Sequence, residues 1–256
     1  MLTNYHSHTK RCQHAVGEDE EYVRSAIRAG YKVLGFSDHA PYFYRDGYVS
    51  YYKMKPEQLC EYADSVNFLR KKYEKEIEIH LGLEAEYYPD IFPESFKLWK
   101  SVGTEYLILG QHFVKKEEAS QKASSMTSSK EKLKEYTDVC IAAIETEKFS
   151  CIAHPDMLYY ADSDDAFYEH EVRRLVECAN KHSTPLEINL LGIRKHRHYP
   201  GEKFWKTAAL LSPAVILGTD SHNPLAIENT EGRREAEKLA ERCGLRLIDR
   251  LEFKPL

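Results

Sequence analysis

Short apolar segments alternate with longer amphipathic segments along this whole chain, and that alternation restricts the folds open to it. Seven apolar, β-branched-rich segments predict strands: Leu2–Tyr5, Lys32–Phe36, Ile77–Leu83, Tyr106–Leu109, Ser150–Ala153, Leu186–Asn189 and Ala214–Leu217. Six segments carry apolar residues at helical spacing: Glu18–Ala29, Pro56–Tyr73, Lys130–Glu147, Asp164–Asn180, Glu202–Leu211 and Pro224–Arg242. Several strands lack polar alternation, as expected where both faces of a parallel sheet are covered.

The regular alternation predicts one α/β domain over residues 1–256. No internal repeat and no Pro- or Gly-rich linker divides the chain. Seven successive strand–helix units favour a closed barrel of the (β/α)7 type over an open sheet. A doubly wound sheet is the alternative, because the number of strands does not decide whether a sheet closes.

Composition limits the location and the partners of the protein. The chain has 36 Lys and Arg against 41 Asp and Glu, a formal charge of −5, which argues against a long nucleic acid as partner. The chain contains no run of eighteen apolar residues, so the sequence does not predict a membrane span. The first residues do not resemble a secretory signal. The six cysteines are scattered without a CxxC spacing. We therefore expect a cytoplasmic protein with free thiols, and the sequence leaves its oligomeric state open.

Seven of the twelve histidines, together with two carboxylates, fall at or just beyond the ends of predicted strands. These nine residues are His6, His8, His14, His39, Glu84, His112, His154, Asp220 and His222. The carboxyl ends of parallel barrel strands converge at one mouth, where barrel active sites are built. The sequence therefore predicts that the nine side chains meet. The two-residue spacing of His6 and His8 lets both point to the same face of their strand.

So many imidazoles and carboxylates in one place predict a metal centre, since divalent ions offset the cost of burying them. Nitrogen and oxygen ligands without cysteine favour Zn, Fe or Mn, or a mixture of them. Nine ligands exceed what one ion uses and fit three divalent ions that share a bridging carboxylate. Glu84, which stands alone at its strand end, is the candidate bridge. The resulting positive charge favours a small-molecule phosphate monoester as partner.

The motifs around these residues resemble those of the PHP (polymerase and histidinol phosphatase) family of metalloesterases. They are HSH at 6–8, SDH at 37–39, GQH at 110–112, AHPD at 153–156 and TDSH at 219–222, with His14 and Glu84. The phrases SDHAP, LGLEAEYYPD, LILGQHF and INLLGIRK are most similar to the histidinol-phosphatases of that family. The resemblance covers essentially the whole chain. It implies a distorted (β/α)7, TIM-like barrel with a trinuclear site.

The resemblance also implies how the ligands divide among three ions. It places His6, His8, Glu84 and Asp220 around one ion, Glu84, His112 and His154 around a second, and His14, His39 and His222 around a third. Many family members carry a basic residue shortly after the His-x-Asp motif, whereas the segment HPDMLYYADSD carries none. This departure speaks against a phosphate contact from that segment.

The expected reaction is hydrolysis of L-histidinol phosphate to L-histidinol and phosphate, by attack of a hydroxide that bridges the metals. Asp156 or a metal-bound water is the candidate acid for the leaving group, and His222 is a ligand with an expected catalytic role. The basic loop after the sixth strand offers Arg194, Lys195 and Arg197 to the phosphate, with the first two favoured by the phrase GIRK. Glu187 and Asn189, which share one face of a strand, are candidates for substrate binding.

Two alternative functions and two unusual segments stay open. The chain could be a PHP-family phosphoesterase acting on nucleotides or short oligonucleotides, or a non-catalytic scaffold stabilised by metal. The tyrosine-rich segment 40–53 predicts either a packed crossover or an aromatic wall over a ligand. The polar, serine-rich segment 117–132 predicts a mobile surface loop with no chemistry of its own.

Overall fold

A computed structural model describes residues 2–44, 47–117 and 121–256 of the chain. Within these ranges, eight parallel strands form one sheet in sequence order. They are β1 (Thr3–Asn4), β2 (Val33–His39), β3 (Glu78–Ala85), β4 (Tyr106–Leu109), β5 (Phe149–Ile152), β6 (Leu186–Asn189), β7 (Ala214–Gly218) and β8 (Arg246–Leu247). Each strand pairs in parallel with the next. This sequential order belongs to a barrel, not to a doubly wound sheet.

Helices connect the strands and cover the outside of the sheet. Those in the described ranges are α1 (Asp19–Arg28), α2 (Leu59–Lys72), α3 (Phe92–Ser101), α4 (Lys130–Glu145), α5 (Asp165–Lys181), α6 (Leu190–Arg194), α7 (Glu202–Ala209) and α8 (Thr230–Cys243). Short 3-10 turns occupy Lys10–Cys12, Pro56–Gln58 and Pro224–Glu228. The helix predicted from Pro224 is thus divided, because the Asn229 side chain accepts a hydrogen bond from Gly232 N and begins α8 there.

The sheet curls until its first and seventh strands meet at the carboxyl end. Ser7 and Ser221, one short step beyond β1 and β7, form a parallel bridge, and His8 N donates to Ser221 O at 2.9 Å. At the opposite end the two-residue strand β8 pairs with β7, and the Thr3 hydroxyl donates to the carbonyl of Asp249. The predicted distorted (β/α)7, TIM-like barrel is therefore confirmed. The eighth strand fills the gap between β7 and the start of β1, at the end of the barrel opposite the mouth.

All seven predicted strands and six predicted helices correspond to observed elements, with shifts at their ends. The structure adds α3, α6 and β8. The five-residue helix α6 follows β6 directly, since Asn189 ends the strand and accepts a hydrogen bond from Gly192 N. Both residues of β8 are exposed and carry no apolar alternation, so the sequence pattern could not reveal this strand.

Side chains fill the interior of the barrel beneath the mouth. Tyr106 is fully buried, and its hydroxyl donates to the carbonyls of Tyr5 and Phe36. Its ring stacks on Phe253, with ring centroids 4.7 Å apart. Among the described residues, the barrel interior below the mouth is thus occupied by packed aromatic rings. Among the residues that the structure describes, no helix combines the length and the apolarity needed to cross a membrane.

Candidate metal centre

Glu84 lies at the centre of the predicted ligand set, at the carboxyl end of β3. Its two carboxylate oxygens lie within 3.7 Å of nitrogens from five histidines: 2.9 Å from His39 and from His154, 3.5 Å from His6 and from His8, and 3.7 Å from His112. The glycine at position 110 makes room for this carboxylate, because a Cβ there would lie 1.9 Å from Glu84 Oε1. The structure therefore gives Glu84 the central position expected of a bridging ligand.

Asp220, just beyond β7, lies beside three of the predicted ligands. Its Oδ1 lies 3.2 Å from His8 Nε2, 3.6 Å from His6 Nε2 and 3.3 Å from His222 Nδ1. The second ring nitrogen of His222 lies 2.9 Å from His14 Nε2. Asp220 has a φ of 45°, in the region that favours glycine, and backbone strain of this kind clusters at functional sites.

Eight of the nine predicted ligands come together in overlapping groups whose donor atoms lie within 4.8 Å of one another, and the ninth, His112, has its Nε2 3.7 Å from Glu84 Oε1. These groups are His6, His8 and Asp220; His8, His39 and Glu84; His6, Glu84 and His154; His14, His39 and His222; and His8, Cys12 and His222. The fourth group has the same three residues as the third ion of the resemblance. Cys12 was missed, since a single cysteine in a loop gives no recognisable metal-binding spacing.

Several atoms of this cluster are buried without a hydrogen-bond partner among the described residues. They are His6 Nε2, His8 Nε2, Glu84 Oε2 and Asp220 Oδ1. A buried polar atom left without a partner costs about 1–3 kcal/mol. A cation satisfies such lone pairs, and imidazole nitrogen with carboxylate oxygen is a donor set suited to Zn, Fe or Mn. The residues present therefore fit a metal centre, and the role of each as a ligand stays a prediction.

The carboxylates dominate the electrostatics of the deeper half of the cluster. Burial lowers the pKa of His6, but the charges of Glu187, Asp220 and Glu84 outweigh it and raise the pKa to about 10. In the outer half, burial and the neighbouring His222 and His8 lower the pKa of His14 to about 4. The deeper part attracts positive charge, while burial and the neighbouring histidines favour the neutral form of the outer imidazole, which is the form that binds a metal.

A second layer of carboxylates orients three of the histidines. Glu187 Oε2 lies 2.8 Å from His6 Nδ1, Asp38 Oδ1 lies 3.4 Å from His8 Nδ1, and Glu86 Oε1 lies 3.5 Å from His112 Nδ1. Each contact directs the other ring nitrogen, Nε2, toward Glu84. Such partners fix the tautomer and the orientation of metal-binding imidazoles. Asp38 and Glu86 were missed, although each belongs to a recognised phrase, SDH and LGLEAE.

The structure places Glu187 and Asn189 below the cluster. Both are buried; the Asn189 amide donates to Glu187 Oε1 at 2.8 Å and to Asp220 Oδ2 at 3.0 Å. Neither residue lines the large cavity next to the cluster. Their contacts favour a role in positioning His6 and Asp220 over the predicted contact with substrate.

A cavity of about 460 Å³ opens beside the cluster, and all three predicted basic residues line it. Arg194, the last residue of α6, donates from Nη2 to the Asp220 carbonyl at 3.1 Å, while its buried Nη1 has no hydrogen-bond partner in the described ranges. Lys195 and Arg197 are exposed at the rim. Volume and charge suit a small anionic ligand.

Asp156 lies outside this cavity, behind the loop that follows β6. Its Oδ2 accepts a hydrogen bond from Gly201 N at 2.6 Å, and it packs among Tyr136 and Tyr168. Burial raises the pKa of Asp156 to about 6. These contacts favour an anchor that ties the loop after β6 to the segment after β5, and they place the carboxyl away from any ligand in the cavity.

Parts of the two unusual segments cover the cavity. Tyr52 and Lys122 both line it, and Lys122 Nζ lies 3.7 Å from the centre of the Tyr52 ring. Ala123 N donates to the His112 carbonyl at 2.7 Å, which fixes the serine-rich segment against the metal centre. The tyrosine-rich segment therefore contributes an aromatic wall, and the other segment is more than a surface loop. Residues 45–46 and 118–120 lie outside the described ranges.

Known proteins are similar to this chain in sequence and in fold. A probable histidinol-phosphatase of Deinococcus radiodurans is 26% identical over 232 residues, 87% of either chain. A probable histidinol-phosphatase of Schizosaccharomyces pombe is 35% identical over 112 residues, 41% of this chain and 36% of that protein.

Among solved structures, the histidinol phosphate phosphatase of Lactococcus lactis, in complex with zinc, L-histidinol and phosphate, superposes with a TM-score of 0.73. It is 19% identical, with 98% of both chains covered. The putative histidinol phosphatase of Listeria monocytogenes has a TM-score of 0.71 at 19% identity, over 90% of this chain and 99% of that one. At such identities the likeness shows the fold. The model of the PHP domain family matches residues 4–190, most of the chain, and the protein belongs to that family.

Proposed function

We propose that this protein is a metal-dependent phosphomonoesterase that hydrolyses L-histidinol phosphate to L-histidinol and phosphate. The observation that carries the proposal is the meeting of nine predicted nitrogen and oxygen ligands beside a cavity lined by Arg194, Lys195 and Arg197. The names of the relatives from Deinococcus radiodurans and Schizosaccharomyces pombe support the choice of substrate.

Three divalent ions, Zn, Fe or Mn, are the proposed cofactors. The nine converging residues would hold them, with Glu84 as the shared ligand because its two oxygens face five imidazoles. Such ions supply an activated water as nucleophile at neutral pH and neutralise charge on the phosphoryl oxygens. His222 has a proposed catalytic role because it is both a predicted ligand and part of the cavity wall.

The protein's own groups position the substrate and the ligands. Arg194 offers to a phosphoryl oxygen its Nη1, which has no hydrogen-bond partner in the part of the chain that the structure describes, and a guanidinium is suited to that contact by its planar set of donors. Lys195 and Arg197 add positive charge at the rim, which attracts an anion. Glu187 and Asn189 hold His6 and Asp220 in place, so that no ligand has to reorient during the reaction.

One observation favours a second candidate, hydrolysis of nucleotides or short oligonucleotides. Among the described residues that line the cavity, Asp220 is the only carboxylate, whereas the basic side chains include Lys122, Arg194 and Arg197. The amine of histidinol phosphate would gain from a free carboxylate, but a ligand with further negative charge would not need one. A long nucleic acid is not expected, and cytoplasmic location also stays a prediction from composition.

The decisive experiment measures phosphate release from L-histidinol phosphate, AMP and a dinucleotide by the purified protein, with and without chelator. We expect the highest kcat/KM for histidinol phosphate, loss of activity with chelator, and recovery with Zn²⁺ or Mn²⁺. Metal analysis of the same sample should give about three ions per chain, the number that nine ligands support. A higher kcat/KM for AMP would select the second candidate, and bound metal without hydrolysis of any ester would select a scaffold.

A further inference from the structure

Lys53 is a buried cation held between two carboxylates. Its ammonium lies 2.6 Å from Glu117 Oε2 and 2.8 Å from Glu86 Oε2, and its side chain is only 5% exposed. A buried charge is tolerated only where partners of opposite charge surround it, and removing one partner leaves the other uncompensated. Lys53, Glu86 and Glu117 therefore form one interdependent unit, here called the lysine bridge.

One end of the lysine bridge reaches the metal centre. Glu86 Oε1 accepts a hydrogen bond from His112 N at 3.2 Å and lies 3.5 Å from His112 Nδ1. The Tyr88 hydroxyl donates to Glu86 Oε2 at 2.6 Å, beside the contact from Lys53. Glu86 thus fixes the imidazole whose Nε2 faces Glu84, and Lys53 supplies the charge that keeps Glu86 in place.

The other end reaches the cover of the cavity, built from residues 47–53 and 113–117 and here called the roof. Glu117 accepts hydrogen bonds from the Ser50 hydroxyl at 2.9 Å and the Tyr48 hydroxyl at 3.0 Å. The Gln13 amide donates to the carbonyls of Ser50 and Lys53, which ties the roof to the loop that carries His14. One buried ammonium therefore joins two chain segments and one predicted metal ligand.

We propose that Lys53 is a positioning residue that couples the roof of the cavity to the metal centre through Glu86 and His112. The inference rests on the proposed metal centre but not on the identity of the substrate. If Glu117 loses its charge, Lys53 interacts with Glu86 alone and draws that carboxylate away from His112. A change in the roof, at a residue that is not a predicted ligand, then weakens metal binding.

The test compares Lys53→Met, Lys53→Arg and Glu117→Gln with the control Arg174→Met. Arg174 also joins two carboxylates, Glu171 at 2.5 Å and Asp138 at 2.6 Å, but it lies between α4 and α5, away from the cavity. The protein loaded with Zn²⁺ is dialysed against increasing chelator, and the metal retained per chain is measured. The unfolding temperature of the metal-free protein is measured alongside.

We expect Lys53→Met to lose part of its bound metal at a chelator concentration about 10- to 100-fold lower than the wild type requires. Removing the outer partner of a ligand usually has an effect of this size. Glu117→Gln should shift in the same direction by less, and Lys53→Arg should restore part of the retention. Arg174→Met should retain metal like the wild type even if its unfolding temperature falls.

Wild-type metal retention in Glu117→Gln overturns the coupling, as does equal loss in Arg174→Met. Because retention is measured without substrate, inactivity of the wild type on histidinol phosphate would refute the proposed function and leave this inference standing. If Lys53→Met does not fold, Glu117→Gln and Lys53→Arg still decide the outcome.

Discussion

His6 Nδ1 and Glu187 Oε2 lie 2.8 Å apart beneath the predicted metal-binding atoms. His6 follows β1 and Glu187 lies on β6, strands that do not pair with each other, so the contact crosses the interior of the barrel. Gly218 on β7 makes the space for it, because a Cβ there would lie 1.9 Å from Glu187 Oε2. With Nδ1 held by the carboxylate, His6 presents Nε2 to Glu84 and Asp220.

Substitution of Glu187 by Gln should therefore weaken the metal centre without touching a predicted ligand. We expect kcat and metal retention to fall by about 10- to 100-fold, the range seen when such a partner is removed. A matched control is Glu147→Gln, because Glu147 contacts His182 at 3.2 Å on an exposed face. Kinetics and metal analysis of both variants measure the effect, and equal behaviour of the two would remove the positioning role.

Arg194→Ala should raise KM and lower kcat, since Nη1 of its guanidinium is buried and has no hydrogen-bond partner among the described residues. Loss of a hydrogen bond to a charged group costs about 1.5–3 kcal/mol, which corresponds to a decrease in kcat/KM of about 10- to 100-fold. Arg197→Ala is the comparison, because Arg197 is exposed and its guanidinium donates to the Tyr199 hydroxyl. Steady-state kinetics that rank Arg197 above Arg194 would contradict the assignment.

The variant Asp156→Asn distinguishes between two roles of this residue, a structural anchor of the loop after β6 and a general acid. Burial raises the pKa of Asp156 from 3.8 to about 6, so the folded state holds this proton to higher pH than the unfolded state. The stability that the group contributes is then fully present below about pH 4 and is lost as the pH rises through 6, by about 3 kcal/mol in all. Asn mimics the protonated acid and should make the protein more stable than the wild type above pH 6, with little difference at pH 4.

Thermal unfolding between pH 4 and pH 8 checks this expectation, with Asp64→Asn as control, since Asp64 is exposed on α2. We expect Asp156→Asn to keep most of the wild-type kcat because Gly201 N can still donate to the amide oxygen. A decrease of about 100-fold or more, the contribution of a general acid, would instead support the acid role predicted from the sequence.

Tyr52→Ala should widen the range of substrates, because the Tyr52 ring and Lys122 meet across the cavity. We expect kcat/KM for AMP to rise relative to histidinol phosphate by about tenfold, the order of discrimination that one apolar wall provides. Tyr51→Ala is the control, since the Tyr51 side chain, next to Tyr52 in the sequence, is 74% exposed and does not line the cavity. An unchanged ratio of the two substrates in Tyr52→Ala would show that the wall does not select them.

The meeting of the predicted ligands could be foreseen because their signal is local. His6, His39, Glu84 and Asp220 each lie at or just beyond the end of an apolar strand, and parallel strands of a barrel must bring their carboxyl ends together. The outer partners gave a weaker signal. Glu86 is two residues beyond Glu84, but its contact with Lys53 joins segments more than thirty residues apart, and spacing along the chain does not report such a contact.

The family, the alternation of strands and helices, and the nine side chains that meet at the mouth could be predicted from the amino-acid sequence, because these depend on short-range patterns. The neighbours of each of those side chains became known only from the folded structure. It turned Glu187 and Asn189 toward the ligands, placed Asp156 behind a loop, and joined the roof to His112 through Lys53. The physical reason is that burial and pairing of polar groups depend on long-range packing, which one-dimensional periodicity does not contain.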